Sequence, residues 1–309
     1  MQCSFARYLQ LLSLSLALVW GVVSTDAATL TVGSFNVESG GATLDKTAEA
    51  LATVEKDEQC DLWGLCEVTD KSWAQQFEVA VEAASGHDFS YVLGTTGRTD
   101  LMAIVYRTDR LEPKDEAVEL HYINPENKVR SPLVIPFLDK DTGATFYFMV
   151  NHLYRSNNNA RHTQASQLNE WTRAQLTKDP TVGVIAVGDY NFDYRVSDEG
   201  HDKGFDNMIS DGVFAWVKPG ALIPSQCNKN YKSILDFVFT AGPAQQWKAN
   251  STIIPMASDY CSNGDNSDHR PLVAHFEIGE SHKDDELIRR IEAMEKSLSE
   301  LKTIIMQRN

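Results

Sequence analysis

From residue 29 onward, short apolar runs bounded by turn residues recur along the chain: "TLTVGSFNV", "DLWGLCEV", "FSYVLG", "LMAIVYR", "LVIPFL", "TFYFMVNHL", "TVGVIAVGD", "GVFAWV", "ILDFVF" and "PLVAHFEI". Their length and their enrichment in Val, Ile, Phe and Tyr predict strands. Three stretches carry a helical period instead. Leu44, Ala48, Leu51 and Val54 share a stripe over 44–58. Trp73, Phe77, Ala80 and Ala84 do so over 70–84, behind Asp70 as an N-cap. Ala165, Leu168 and Trp171 mark 162–176. Many strands with few interspersed helices predict an α/β (α+β) protein with two packed sheets flanked by helices. No internal repeat of solenoid length is present.

The two ends break this pattern. After Arg7 comes "YLQLLSLSLALVWGVV" and then the small-residue run "STDAA". A basic start, a short apolar stretch and a small-residue exit predict a secretory signal peptide over 1–27, cleaved near Ala27 or Ala28. The alternative is an anchoring helix, for which the apolar run is short. The mature protein is then expected to be secreted or periplasmic, without stable membrane insertion. Residues 280–309 change character again. Leu287, Ile291, Met294, Leu298, Leu301 and Ile305 alternate at spacings of four and three, the seam of a short coiled coil or of an amphipathic helix on the body. Homo-oligomerisation through 287–305 is one expectation. The body between is a single domain over 28–279.

The composition of the 309 residues, 42% hydrophobic and 23% charged, is that of a globular domain with a sizeable core. The formal net charge of −15 gives no electrostatic steering toward nucleic acid or anionic membranes, but suits a protein that collects divalent cations. Export leaves Cys60, Cys66, Cys227 and Cys261 in an oxidising compartment. A strand over "DLWGLC" would hold the α-carbons of Cys60 and Cys66 roughly 20 Å apart, beyond disulfide reach. Cys227 and Cys261, in loop-like segments flanking "ILDFVF", are the expected pair. No cysteine or histidine spacing suggests zinc.

The candidate chemistry lies where the apolar runs end. "SFNVES" supplies Asn36 and Glu38, "WGLCEV" Glu67, and "MVNHLYR" His152 and Arg155. "VGDYNFD" supplies Asp189 and Asn191, and "NSDHRPL" Asp268 and His269. On an extended backbone Asp189 and Asn191 would share a face, although Gly, Asp and Asn also build ordinary turns. Asp236 lies within "ILDFVF", where an unpaired carboxylate would be costly to bury. A histidine ring is its natural partner, and an Asp that orients a His is how general bases are built.

The order of these motifs resembles the endonuclease/exonuclease/phosphatase superfamily, the DNase I-like fold, over about residues 29–278. "GDYN" alone is a weak signal; with "SDHRP" downstream, "LDFVF" between them, and Asn36 and Glu67 upstream, it is a specific one. The resemblance implies a four-layer sandwich of mostly antiparallel sheets and metal-assisted hydrolysis of a phosphodiester, DNA or RNA in the simplest case. It also implies residue roles. Glu67 would be the main ligand of Mg²⁺ (or Mn²⁺ or Ca²⁺), with Asn36, Asp268 and, in some members, Glu38. His269 oriented by Asp236 would be the general base or its electrostatic equivalent. Asp189 would position the water, Asn191 would bind a phosphate oxygen, and His152 would donate to the phosphoryl group. Arg155 and Arg161 are candidate phosphate-binding residues. The same chemistry on a phospholipid or phosphosugar, and a non-catalytic interaction protein on the same scaffold, are the rival expectations.

Overall fold

The computed structural model describes residues 28–227 and 232–278. The expected signal peptide and the C-terminal heptad segment lie outside the described residues. The apolar runs form β1 (Ala28–Asn36), β2 (Leu62–Val68), β3 (Phe89–Leu93), β4 (Leu101–Arg107), β5 (Leu111–Pro113), β6 (Val118–Glu119), β7 (Leu133–Asp139), β8 (Thr145–His152), β9 (Gly183–Arg195), β10 (Phe214–Trp216), β11 (Ser233–Ala241), β12 (Lys248–Ile253) and β13 (Leu272–Ile278). The helices are α1 (Leu44–Glu58), α2 (Lys71–Ser85), α3 (Asn158–Lys178) and α4 (Lys203–Ile209). The Asp70 carboxylate caps α2 by accepting from the amides of Ser72 and Trp73, satisfying two donors that a helix start leaves unpaired. Helix α3 begins four residues before the predicted stretch 162–176, where the Asn157 side chain accepts from the Ala160 amide. No helix among the described residues is long and apolar enough to cross a membrane.

One sheet runs β12-β13-β1-β2-β4-β3 and the other β10-β11-β9-β8-β7-β5, with β6 also on β7. Their pairings are antiparallel except for β1–β2 and β8–β9. These two parallel pairs are the ones joined through α1 and α3, since a parallel connection needs a crossover. A parallel pair brings the carboxyl ends of two strands to the same edge. Asn36 therefore lies opposite Cys66, beside Glu67, and His152 lies opposite Asp189.

Side-chain alternation divides the core. Leu30, Val32, Leu62 and Cys66 pack with Val150 and Val187 of the other sheet, whereas Phe35, Trp63 and Leu65 pack with Leu51, Val54, Phe77 and Val81 of α1 and α2. Gly64 marks the closest approach of the sheets: a Cβ there would sit 2.4 Å from Val187 Cγ2 and 2.9 Å from Val150 Cγ2. At the end of the sandwich away from those carboxyl ends, Arg110 is clamped between the sheets. It donates from Nε and Nη2 to both oxygens of Asp139 (3.0 Å each) and from Nη1 to Asp61 Oδ2 (2.9 Å) and the Thr29 carbonyl (2.6 Å). Cys227 and Cys261 are bridged, and Cys60 and Cys66 are free and buried.

Under α1, Glu55 is fully buried; its Oε2 accepts from Trp63 Nε1 (2.7 Å) and the Cys60 amide (3.2 Å), and Oε1 has no partner. Burial pushes its carboxyl from an ordinary 4.5 up to about 8, against the pull of those two donors. The folded state thus holds a proton that the unfolded chain releases, so stability is full at low pH and declines as pH climbs from about 4.5 to about 8. Glu55→Gln keeps the acceptor and removes the charge. In chemical denaturation it is expected to flatten that decline and to exceed the parent's stability above pH 8, by on the order of 1–3 kcal/mol. Equal slopes for parent and variant across this window would contradict the burial argument.

Candidate active site

The site grows from the carboxyl ends of the central strands, and several of its contacts cross from one sheet to the other. Alternation turns Asn36 inward with Leu30 and Val32. Its Nδ2 donates to Glu67 Oε1 (3.0 Å) and, across the seam, to Asp189 Oδ2 (3.1 Å), while its Oδ1 accepts from the Glu38 amide (3.0 Å). Asn36 thus aligns two carboxylates rather than offering its own oxygen. Glu67 would face α1 and α2 on a regular strand. Its φ of +59° breaks the alternation, an uncommon conformation for a non-glycine residue, and the carboxylate reaches the seam.

The "VGDYN" stretch of β9 is also irregular. Gly188 has φ +127°, and a Cβ there would lie 2.0 Å from the Asn151 carbonyl oxygen, so only glycine fits. Asn191 is left-handed, with φ +53°. Its amide donates to Asp189 Oδ1 (3.0 Å) and its Nδ2 to the Leu153 carbonyl (3.2 Å). Asp189 and Asn191 do come together within β9, with the backbone left-handed at Asn191 rather than regularly extended.

Two histidines flank Asp189. His269, on the loop entering β13, bonds through Nδ1 to Asp236 Oδ2 of β11 (2.8 Å) and turns Nε2 toward Asp189 Oδ2 and Asp268 Oδ1, each 3.7 Å away. Burial works against its charge, but Asp236, Asp189 and Asp268 together raise its pKa to about 10. His152 faces the other side, its Nε2 lying 3.4 Å from Asp189 Oδ2 and 3.7 Å from Glu67 Oε1. Burial, and then the Arg130 cation, pull its pKa down to about 3. The surroundings thereby shift two chemically identical rings in opposite directions on either side of one carboxylate.

Glu38 and Asp268 close the rim. Glu38, left-handed at φ +52°, accepts the Asp268 amide on Oε2 (2.6 Å). Burial, then the charges of Asp268 and Glu67, raise its pKa. Burial also raises that of Asp189. Such crowding of carboxylates in one pocket is what a divalent cation would relieve, and an oxygen-rich donor set suits a hard ion. The residues fit the metal that the motif pattern implied: Glu67, Asp100 and His152 offer ligand atoms within 4.8 Å of one another, as do Asp189, Asp236 and His269.

Arg161 does not join the site. It is buried, donating through Nη1 to the Tyr154 and Arg155 carbonyls and through Nη2 to Asn158 Oδ1 and Asp202 Oδ2. It braces the loop after β8, and the expectation that it binds phosphate is corrected accordingly. Arg155 is exposed on that loop, three residues beyond His152.

Asp100 and Arg130 were missed by sequence reasoning. Asp100 Oδ1 lies 3.2 Å from His152 Nδ1, without hydrogen-bond alignment, and Oδ2 lies 2.7 Å from Arg130 Nη1. Burial, opposed by Arg130, raises the Asp100 pKa to about 6. The one available signal was a carboxylate immediately preceding the apolar run of β4.

Residues 33–269 match the family described as Endonuclease/Exonuclease/phosphatase family. The chain belongs to this family. Its fold is shared by an endonuclease/exonuclease/phosphatase family protein from Bacteroides thetaiotaomicron (20% identity, TM-score 0.61, covering 81% of this chain and 95% of that one). A mannosyl-6-phosphatase from the same species matches at 19% identity and TM-score 0.59, over 80% and 99% of the two chains. D. rerio TDP2 in complex with a single-strand DNA product matches at 19% and 0.60, over 81% and 99%. No curated protein sequence matches the chain. Endonuclease/exonuclease/phosphatase enzymes hydrolyse phosphate esters with the help of a divalent metal, and this member has clusters of carboxylates and histidines between its sheets that could hold such an ion.

Proposed function

We propose that this protein is an exported hydrolase of phosphodiester bonds, nucleic acid being its first substrate class and Mg²⁺ its cation, with Mn²⁺ or Ca²⁺ as substitutes. The observation that carries this reading is the convergence on Asp189 Oδ2 of Asn36 (3.1 Å), His152 (3.4 Å) and His269 (3.7 Å), drawn from distant segments. Glu67 and Asp268 would hold the cation, which when bound draws charge from the phosphoryl oxygens. Asp189 takes the proton of the attacking water, and His269, its pKa raised by the carboxylates around it, orients that water and offsets the charge that builds. Asp236 keeps the His269 ring in place through Nδ1, so that Nε2 is the atom presented. His152 donates to the phosphoryl oxygens as charge builds on them. Asn191 supports Asp189 through its amide, and its side chain reaches phosphate only by releasing the Leu153 carbonyl.

Export is supported by the leader-like pattern of residues 1–27 and by the Cys227–Cys261 bridge, since such bonds persist in oxidising compartments. A second reading, a small phosphorylated compound such as a phosphosugar, draws on the net charge of −15, which disfavours an extended polyanion, and on the likeness to a mannosyl-6-phosphatase. A panel of plasmid DNA, RNA, bis(p-nitrophenyl) phosphate and sugar phosphates, run with EDTA and then with Mg²⁺ restored, separates them. DNA or RNA cleavage that EDTA abolishes and Mg²⁺ restores is the expected result. Turnover of sugar phosphates alone selects the second reading, and hydrolysis of none of them with any cation ends both.

A further inference from the structure

The segment 224–227 plays no part in the chemistry above, yet it touches both halves of the His269 side of the site. Ser225 is fully buried; its Oγ accepts from the amides of Leu235 (2.8 Å) and Asp236 (3.2 Å), where β11 bulges. Gln226, 4% exposed, forms an antiparallel bridge with His269 and donates from Nε2 to Asp268 Oδ2 (3.1 Å). The Cys227 amide donates to the Asp268 carbonyl. The segment is tied down from the other side as well. Arg270 donates through Nη1 to the carbonyls of Pro224 (2.8 Å) and Gln226 (3.2 Å), and through Nη2 to Cys261 Sγ (2.9 Å). The Cys227–Cys261 bond joins it to the loop whose Tyr260 hydroxyl donates to the His269 carbonyl.

We propose that this disulfide-anchored strap is a positioning device, in which Gln226 sets the Asp268 carboxylate for the cation and Ser225 sets Asp236 beneath His269. The inference rests on the metal-hydrolase reading. Its physical basis is the freedom of Asp268, whose side chain is 38% exposed. A carboxylate on a loop rotates about its last bond unless something holds one oxygen, and Gln226 holds Oδ2, leaving Oδ1 on the His269 side. Gln226 Oε1 has no partner although buried, so the amide is held through its one bond to Asp268 and by the strap itself. A ligand that must be ordered at the moment of binding gives up affinity, which is why partners of metal ligands matter nearly as much as the ligands. Breaking the disulfide releases the strap's covalent anchor and loosens Asp268 and Asp236 together.

The test compares the parent with Gln226→Ala, Gln226→Leu and the double variant Cys227→Ala/Cys261→Ala. It reads Mn²⁺ binding by calorimetry, turnover across a Mg²⁺ titration, and thermal unfolding without cation. Gln226→Ala and Gln226→Leu are expected to bind Mn²⁺ about 10- to 100-fold more weakly, to recover most turnover at saturating Mg²⁺, and to unfold close to the parent's temperature. The double cysteine variant, and the parent treated with reductant, are expected to shift the same way. Should the cysteine variant fail to fold, the two Gln226 variants decide alone. A parent that binds Mn²⁺ and hydrolyses phosphodiesters, beside Gln226 variants with unchanged affinity, overturns the strap and leaves the hydrolase standing. A parent that binds no divalent cation removes both.

Discussion

His269→Ala is expected to lose about 10³- to 10⁴-fold in turnover while retaining its fold. The size of the effect follows from what the ring does in place. Its Nδ1 is committed to Asp236 at 2.8 Å, and its Nε2 faces the carboxylates of Asp189 and Asp268. No other described side chain is placed to take over both contacts. Truncation leaves the Asp236 carboxylate buried without its partner, which alone costs about 1–3 kcal/mol. The double variant Asp236→Asn/His269→Ala removes that stability penalty and isolates the chemistry. Because the two residues act as a unit, the double variant should be scarcely slower than His269→Ala. The check is kcat on the substrate that the panel identifies, beside circular dichroism and thermal unfolding. Turnover within tenfold of the parent in a folded His269→Ala protein would remove His269 from the mechanism.

Arg110→Ala is the substitution expected to cost the most stability, about 3–5 kcal/mol, because it removes the only cation facing buried Asp139 among the described residues and leaves Asp61 with Arg107 alone. Asp61 and Asp139 are both nearly solvent-free, and Arg110 meets Asp139 with two parallel hydrogen bonds. Lysine cannot reproduce that fork, so Arg110→Lys should recover only a small part of the loss. The cluster lies at the end of the sandwich opposite the catalytic strand termini, so activity per folded molecule should stay at the parent's level. Urea denaturation and active-site-normalised turnover read the two quantities separately. A shift below about 1 kcal/mol would place Arg110 with exposed ion pairs, whose contribution is that small.

What the sequence made legible follows from where water is excluded. Central strands β1, β2, β8, β9, β11 and β13 are buried over most of their length, so they read as apolar runs, and the polar candidates at their ends could be picked out by position. The edge strand β12, "KANSTI", is exposed at four of its six residues; it carries no hydrophobic period and gave no sign of itself. Strands β5 and β6 and helix α4 were too short to show a period. The same logic divides the site. Asp236 was visible because a carboxylate within "ILDFVF" demands a partner, and His269 is that partner. Asp100 and Arg130 were not, since "GRTD" and "KVRSP" read as ordinary turns, and their meeting beside His152 exists only in the tertiary structure. Arg161 erred in the other direction: its place near a phosphate-binding motif suggested the ligand, while burial and Asp202 claim its guanidinium.

The division of labour between the two sheets has a further meaning. Asn36, Glu67, Asp268 and His269 ride on one sheet and its loops, and His152, Asp189 and Asp236 on the other. The distances between these candidate residues are therefore set by how the two layers lock together at Gly64, where Val150 and Val187 leave no room for even a methyl group. A side chain there would pry the halves apart and stretch every hydrogen bond that bridges them. The catalytic geometry is thus stored in the stacking of the layers, as much a property of that one missing Cβ as of any acid or base.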